Sequence, residues 1–221
     1  YRDVDHLMKV TDVESPVMQE LSAGLIAAAN VRVIYAHYFG SRNLTCNQAI
    51  LSPADLAGLK IRAVPFPIYT TAVEGMGAVA IPVDWSEVPT ALATGVVQGQ
   101  ENPVNVVLNH KIYEVQSHLM LTGHMSNAEV VVMNEDAWQA LTEAQKEAVR
   151  EAANQIREKA TNAILDNEES ETQKLRDLGM TVIGADEGLQ LDAFRLSVKA
   201  LVDKRFGTEY GVLYSKIAAI S

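Results

Sequence analysis

Two short segments of this chain carry side chains suited to holding an anion. In Gly58-Leu59-Lys60-Ile61-Arg62 an arginine closes a short apolar run. Forty positions after it, in Gly95-Val96-Val97-Gln98-Gly99-Gln100-Glu101-Asn102-Pro103, a side-chain amide stands in a predicted turn between a glycine pair and a proline. A guanidinium gives a carboxylate two parallel N–H donors, and an amide adds a directional partner. Each residue also has an ordinary explanation. An arginine after a strand is commonly a surface ion-pair partner. An asparagine before a proline commonly bonds its own backbone in a turn. Gly95 and Gly99 read as backbone punctuation, permitting tight turns or close approach.

Other chemistries find less support. Gly75-Met76-Gly77-Ala78-Val79-Ala80 is a loose dinucleotide fingerprint, but it follows a predicted helix and precedes a strand. Phosphate binding needs the reverse order, so that a helix N-terminus meets the pyrophosphate. The histidines His6, His37, His110, His118 and His124 show no metal-ligand spacing. The one cysteine, Cys46, has no activating histidine motif and allows no internal disulfide. Pairs such as Glu168-Glu169 lie on a polar helix face, and Asn43-Leu44-Thr45 is a glycosylation sequon on paper only. A net charge of −10 argues against nucleic acid and anionic membrane surfaces as partners. With no run of 18 or more apolar residues, no membrane span is expected. The start at Tyr1-Arg2-Asp3, without initiator methionine or signal segment, implies a mature product with its signal peptide removed, or a truncated one.

The elements that must position Arg62 and Asn102 alternate between strand and helix. Helices are predicted at Ser15 to Ala29, Pro67 to Gly75, and Ser86 to Thr94 with Gly95 as stop. Ser52-Pro53-Ala54-Asp55 reads as a capping box over a very short helix ended by Gly58. Strands are expected at Val31 to Tyr35, Leu59 to Val64, Ala78 to Val83, Val130 to Met133 as a buried strand, and Met180 to Ile183. Thr142-Glu143-Ala144-Gln145 opens a long helix with apolar residues at Ala144, Ala148, Ala152, Ile156, Ala160 and Ile164, continuing to Leu178 before Gly179. Two further helices, Leu189 to Phe206 and Tyr210 to Ile220, close the chain. With 221 residues, 48% of them hydrophobic, this pattern indicates an α/β architecture with mostly parallel pairing.

From about Tyr1-Arg2-Asp3-Val4-Asp5-His6 to the helical tail, these segments resemble the extracytoplasmic solute-binding proteins of TRAP (tripartite ATP-independent periplasmic) transporters, in the branch that captures dicarboxylates and other organic acids. The resemblance implies a two-lobed venus-flytrap α/β fold with a long helix linking the lobes. It assigns 1–38 and 128–167 to the first lobe, and 39–127 and 168–221 to the second. In such proteins the arginine matching Arg62 clamps the ligand carboxylate, and the asparagine matching Asn102 lies beside it. Lysine is a poor substitute for such a fork. Arg42, in Gly40-Ser41-Arg42-Asn43-Leu44-Thr45, matches a second arginine that many relatives aim into the cleft; it reads equally as a loop arginine paired with a surface acid. Trp85 stands where relatives carry an aromatic wall, and also reads as plain core packing. Tyr38 and Phe39 are weaker pocket candidates.

The chain departs from the family pattern at Pro89, tolerable in a first helical turn, and at Gln98, where an aspartate is common. The opening strand–helix–strand portion of the first lobe has no counterpart here, so that lobe is expected to be incomplete. The implied role is periplasmic capture of a small carboxylate and its delivery to TRAP membrane subunits, with no cofactor and no catalysis. The competing classes are an enzyme, a lyase or isomerase on a carboxylic acid, and a sensory ligand-binding domain.

Overall fold

The computed structural model describes residues 1–221. Its helices are α1 (Val4–Val10), α2 (Pro16–Ala29), α3 (Pro67–Gly75), α4 (Val88–Ala93), α5 (Val104–Asn109), α6 (Glu135–Gln139), α7 (Glu143–Asp177) and α8 (Leu191–Ala219). Its strands are β1 (Val31–Cys46), β2 (Lys60–Ala63), β3 (Val79–Pro82), β4 (Gly99–Asn102), β5 (His118–Asn134) and β6 (Thr181–Ile183), in the sheet order β3-β2-β4-β1-β5-β6. Pairing is parallel for β2 with β3, β2 with β4 and β5 with β6, but β1 runs antiparallel to β4. The sheet is therefore mixed. The chain divides into two compact units: Tyr1–Phe39, Ser126–Asp166 and Tyr210–Ser221 form one, Gly40–Met125 and Asn167–Glu209 the other.

The second unit is a sheet with an apolar layer on each face. Leu44, Ile61, Ala63, Val73, Met76, Met120 and Phe194 belong to one layer. Val88, Leu92, Val97, Val107, Leu119 and Leu175 belong to the other, with Ile81 and Trp85 against them. Adjacent residues such as Leu119 and Met120 fall in opposite layers, as strand alternation requires. Local signals set several boundaries here. Asp55 accepts from the backbone N–H groups of Leu51 and Ser52 at 2.9 and 2.8 Å, fixing the short 3-10 turn at Pro53–Leu56. Gly77 has φ +102, and a Cβ there would lie 2.5 Å from the Pro53 carbonyl oxygen, so only glycine fits. Helix α4 starts at Val88 behind a 3-10 turn at Trp85–Glu87 and has no side-chain cap, so Ser86 does not cap it; Pro89 lies in its first turn.

In the first unit, Asp3 caps α1 by accepting from His6 N at 2.7 Å, and Ser15 caps α2 by accepting from Met18 N at 3.1 Å. Trp138 on α6, a helix too short to show in the sequence pattern, is buried with the guanidinium carbons of Arg32 and Arg150 each 5.4 Å from its ring. Arg32 donates to both oxygens of Glu135 at 2.6 and 2.8 Å. The last turns of α8 join this unit through Arg2, which donates to the carbonyls of Ala218 and Ile220 at 3.1 and 2.7 Å.

Three expectations are corrected here. The tail is one helix: α8 runs through Gly207 and Gly211 without a break. Interior glycines cost roughly 1 kcal/mol each, but unlike proline they keep the backbone N–H, so the helix can run through them. On α7 the residues at a four-residue step are not the buried face, since Ala144, Ala148, Ala152 and Ile156 are exposed while Ala153, Thr161, Thr172 and Leu175 are buried. Four residues turn a helix by about 400°, so a strict four-step stripe drifts about 40° per step and leaves any one face. The strand at Val130 to Met133 forms, within β5, but Val130 and Val132 are 45% and 50% exposed. It is not a buried strand.

Candidate functional site

The carboxyl ends of β2 and β4 bring the anion-binding candidates to one place. Strand β4 is where sequence and structure differ most. Gly99-Gln100-Glu101-Asn102 is not a turn but a fully buried strand between β2 and β1. Its polar side chains are tolerated because each finds a partner. Thr45 Oγ1 donates to Gln116 Oε1 at 3.1 Å, Gln100 Nε2 donates to Thr45 Oγ1 at 3.1 Å, and Asn102 Nδ2 donates to Gln100 Oε1 at 2.6 Å. Gly99 is required at its position, since a Cβ there would sit 2.3 Å from the Thr45 carbonyl oxygen.

Arg42, on β1, is 3% exposed and its partner Glu101 is 1% exposed. Arg42 Nε donates to Glu101 Oε2, and Nη2 donates to Glu101 Oε1 at 2.8 Å, to the Glu101 carbonyl at 2.7 Å and to Asn102 Oδ1 at 3.0 Å. His124 on β5 meets the same carboxylate, Nε2 to Oε2 at 3.3 Å, while its Nδ1 lies 2.8 Å from Thr122 Oγ1. This network assigns the proton to Nε2. Burial pushes the Glu101 carboxyl up, but the Arg42 charge and the hydrogen bonds from His124 and Arg42 outweigh it, so it titrates below the ordinary carboxylate range. Arg42 thus pairs with an acid that is buried, not with one at the surface.

Arg62, on β2, is as buried as Arg42, at 2% exposed, but its partners differ. Its Nε donates to the Val83 carbonyl at 2.9 Å, and its guanidinium carbon lies 5.5 Å from the Trp85 ring centroid. Neither terminal nitrogen is given to a carboxylate or a carbonyl of the chain. Burial lowers its pKa from the ordinary arginine value; the Glu101 charge acts against that and the Arg42 charge with it, while Asp84 also favours the cation. Arginine stays charged regardless, so this is a largely buried cation whose terminal donors are unspent and still open to solvent.

Trp85 is half-buried against the second apolar layer and lies under Arg62, with the His110 ring edge-on at 5.0 Å. Tyr38 and Phe39 lie in the first unit, where Tyr38 N donates to Thr161 Oγ1 at 3.2 Å. Gln98 Oε1 accepts from Lys60 N at 2.7 Å, pinning β4 to β2. Sequence reasoning missed Glu101 and His124; the signal available for Glu101 was an acid between two amides in a segment with no other charge. Cys46 is buried with its thiol toward the Gln98 carbonyl, and burial raises its pKa. No helix is long and apolar enough to cross a membrane.

Comparison with known proteins gives consistent matches. Residues 1–209 match the family model of DctP, bacterial extracellular solute-binding protein, family 7. A solute-binding protein of Verminephrobacter eiseniae is 35% identical over 94% of this chain and 61% of its own length. The sialic acid-binding periplasmic protein SiaP of Vibrio cholerae is 30% identical over 99% of this chain and 66% of its own. This chain therefore spans about three fifths to two thirds of such relatives. The crystal structure of a TRAP periplasmic solute-binding protein from Roseobacter denitrificans, with bound L-galactonate, superposes with a TM-score of 0.88 at 28% identity, over 99% of this chain and 71% of that one.

Proposed function

Because this chain belongs to the bacterial extracellular solute-binding proteins of family 7, we propose that it captures a small organic acid in the periplasm and delivers it to TRAP membrane subunits. The observation that carries the reading is Arg62. A largely buried guanidinium whose terminal donors have no partner in the chain offers a carboxylate two charge-assisted bonds. Asn102 keeps one amide N–H beyond the one given to Gln100, and is the second ligand group. Trp85 offers an apolar ring for the carbon skeleton. Arg42 contributes through Nη1, the nitrogen that Glu101 does not take.

The relatives support the ligand class: one is named for sialic acid and another structure holds L-galactonate, both carboxylic acids. None of them is described as an enzyme, which favours capture over turnover. Calorimetric titration of the whole gene product with L-galactonate and N-acetylneuraminate tests the reading. Saturable binding that Arg62→Lys weakens at least thirtyfold is the expected result. Binding unaffected by Arg62→Lys, or no binding of either acid, overturns it.

A further inference from the structure

Resting on carboxylate capture at Arg62, we infer that Glu101 sets the ligand class: by occupying Arg42 it restricts the site to acids bearing a single carboxylate, with neutral hydroxyls or carbonyls elsewhere. The argument is a count of unspent charge. Two guanidinium groups reach the carboxyl ends of β2 and β4, and only one of them is available as a fork. Arg42 has given Nε and Nη2 to both oxygens of Glu101, and Nη2 also serves the Glu101 carbonyl and Asn102 Oδ1. Glu101 is held from a second direction by His124 at 3.3 Å, and all three side chains are almost completely buried. The carboxylate is clamped and cannot swing aside for a competitor.

A second ligand carboxylate brought to Arg42 would lie against Glu101, like charge beside like charge where little water screens them. Besides Asp84, whose negative charge already acts on Arg62, the remaining polar groups nearby are neutral. The chain Arg42–Asn102–Gln100–Thr45–Gln116 alternates donor and acceptor and ends on amides and a hydroxyl. Asn102, the member of that chain with an unspent amide N–H toward the strand end, matches a hydroxyl or carbonyl oxygen and leaves an additional negative charge uncompensated.

Matched pairs of acids test this on the whole gene product. L-Galactonate against galactarate, and D-gluconate against D-glucarate, differ within each pair only by oxidation of one terminal carbon to a second carboxylate. At neutral pH each monoacid is expected to bind at least tenfold tighter than its diacid by calorimetry. Glu101→Gln removes the negative charge and keeps an acceptor for Arg42; it is expected to shrink that ratio at least fivefold, with circular dichroism reporting its fold. A diacid that binds as tightly as its monoacid overturns the inference and leaves capture standing. An unchanged ratio in a folded Glu101→Gln protein removes Glu101 from the role. Absence of binding by all four acids overturns capture and the inference together. Should the glutamine variant fail to fold, the wild-type ratios decide the matter alone.

Discussion

Arg42 and Arg62 form a matched pair with opposite fates. Both are almost fully buried in the same unit, and each lies over an aromatic ring, Tyr69 for Arg42 at 5.0 Å and Trp85 for Arg62 at 5.5 Å. Strand register and alternation put Arg62 on the face of Ile81 and Gln100, and Arg42 on the face of Leu44 and Glu101. The difference lies in what the donors touch. Arg42 grips a carboxylate with two nitrogens, whereas Arg62 spends one N–H on a backbone carbonyl. Burial alone does not separate the two arginines. The count of unspent N–H groups does.

Breaking the Arg42 side should give the largest effect, and on stability. Arg42→Ala leaves Glu101 buried with only His124, at 3.3 Å, as a partner, which costs about 3–5 kcal/mol; a fall of that size in the urea-unfolding free energy is expected, and a loss under about 1 kcal/mol would mean that Glu101 is reached by water. Breaking the Arg62 side should act on binding instead. Arg62→Lys is expected to lose on the order of 2–4 kcal/mol of acid affinity with the urea midpoint nearly unchanged. Equal loss of stability and affinity in both variants would erase the distinction between the two arginines.

Trp85 sharpens the comparison with a smaller effect. Its stacking on Arg62 is worth roughly 0.5–2 kcal/mol, so Trp85→Ala should weaken binding by that order. Its fluorescence should respond to acid while that of Trp138, in the other unit, stays silent. A response that survives Trp85→Phe and vanishes in Trp138→Phe would place the ligand elsewhere. The smallest effect is pH. The Glu101 carboxyl is depressed in the folded chain, so its stabilising share is complete above the ordinary carboxylate range and is lost as pH falls through its lower folded value. Glu135, pulled down to about 2, first by its Arg32 hydrogen bonds and then by Gln139, behaves the same way to lower pH. Urea midpoints should stay level from pH 8 to about 5 and decline below it; a decline that begins near neutrality would contradict the sign.

What was legible in the sequence is what is local. Ser52 with Asp55, and Thr142 with Gln145 before α7, are contacts across three residues, and both close as read. Helix α3 spans the expected residues, and Gly179, with φ +96, ends α7. The site was legible only as residue types. Glu101 lies 59 positions from Arg42 and 23 from His124, so no window of the sequence shows their meeting. For the same reason β4 was hidden: Gln100, Glu101 and Asn102 have the composition of a turn and become a strand because β1 and β2 flank them. Hydrophobic periodicity cannot announce a strand whose burial is supported by hydrogen bonds.

The run of partnered polar groups along β4 has a consequence for anyone who retargets this protein. Gln100 with Thr45, Asn102 with Gln100, and Glu101 with Arg42 are each bound to the other, so the genetic unit at this site is the pair. A library that varies one position at a time samples mostly broken couples and reads the strand as immutable. Simultaneous variation of both members, with Gly99 held constant, opens combinations that single steps cannot reach, because each intermediate would leave a buried group without its complement. Epistasis at this strand is the hydrogen-bond list rewritten in the language of mutation.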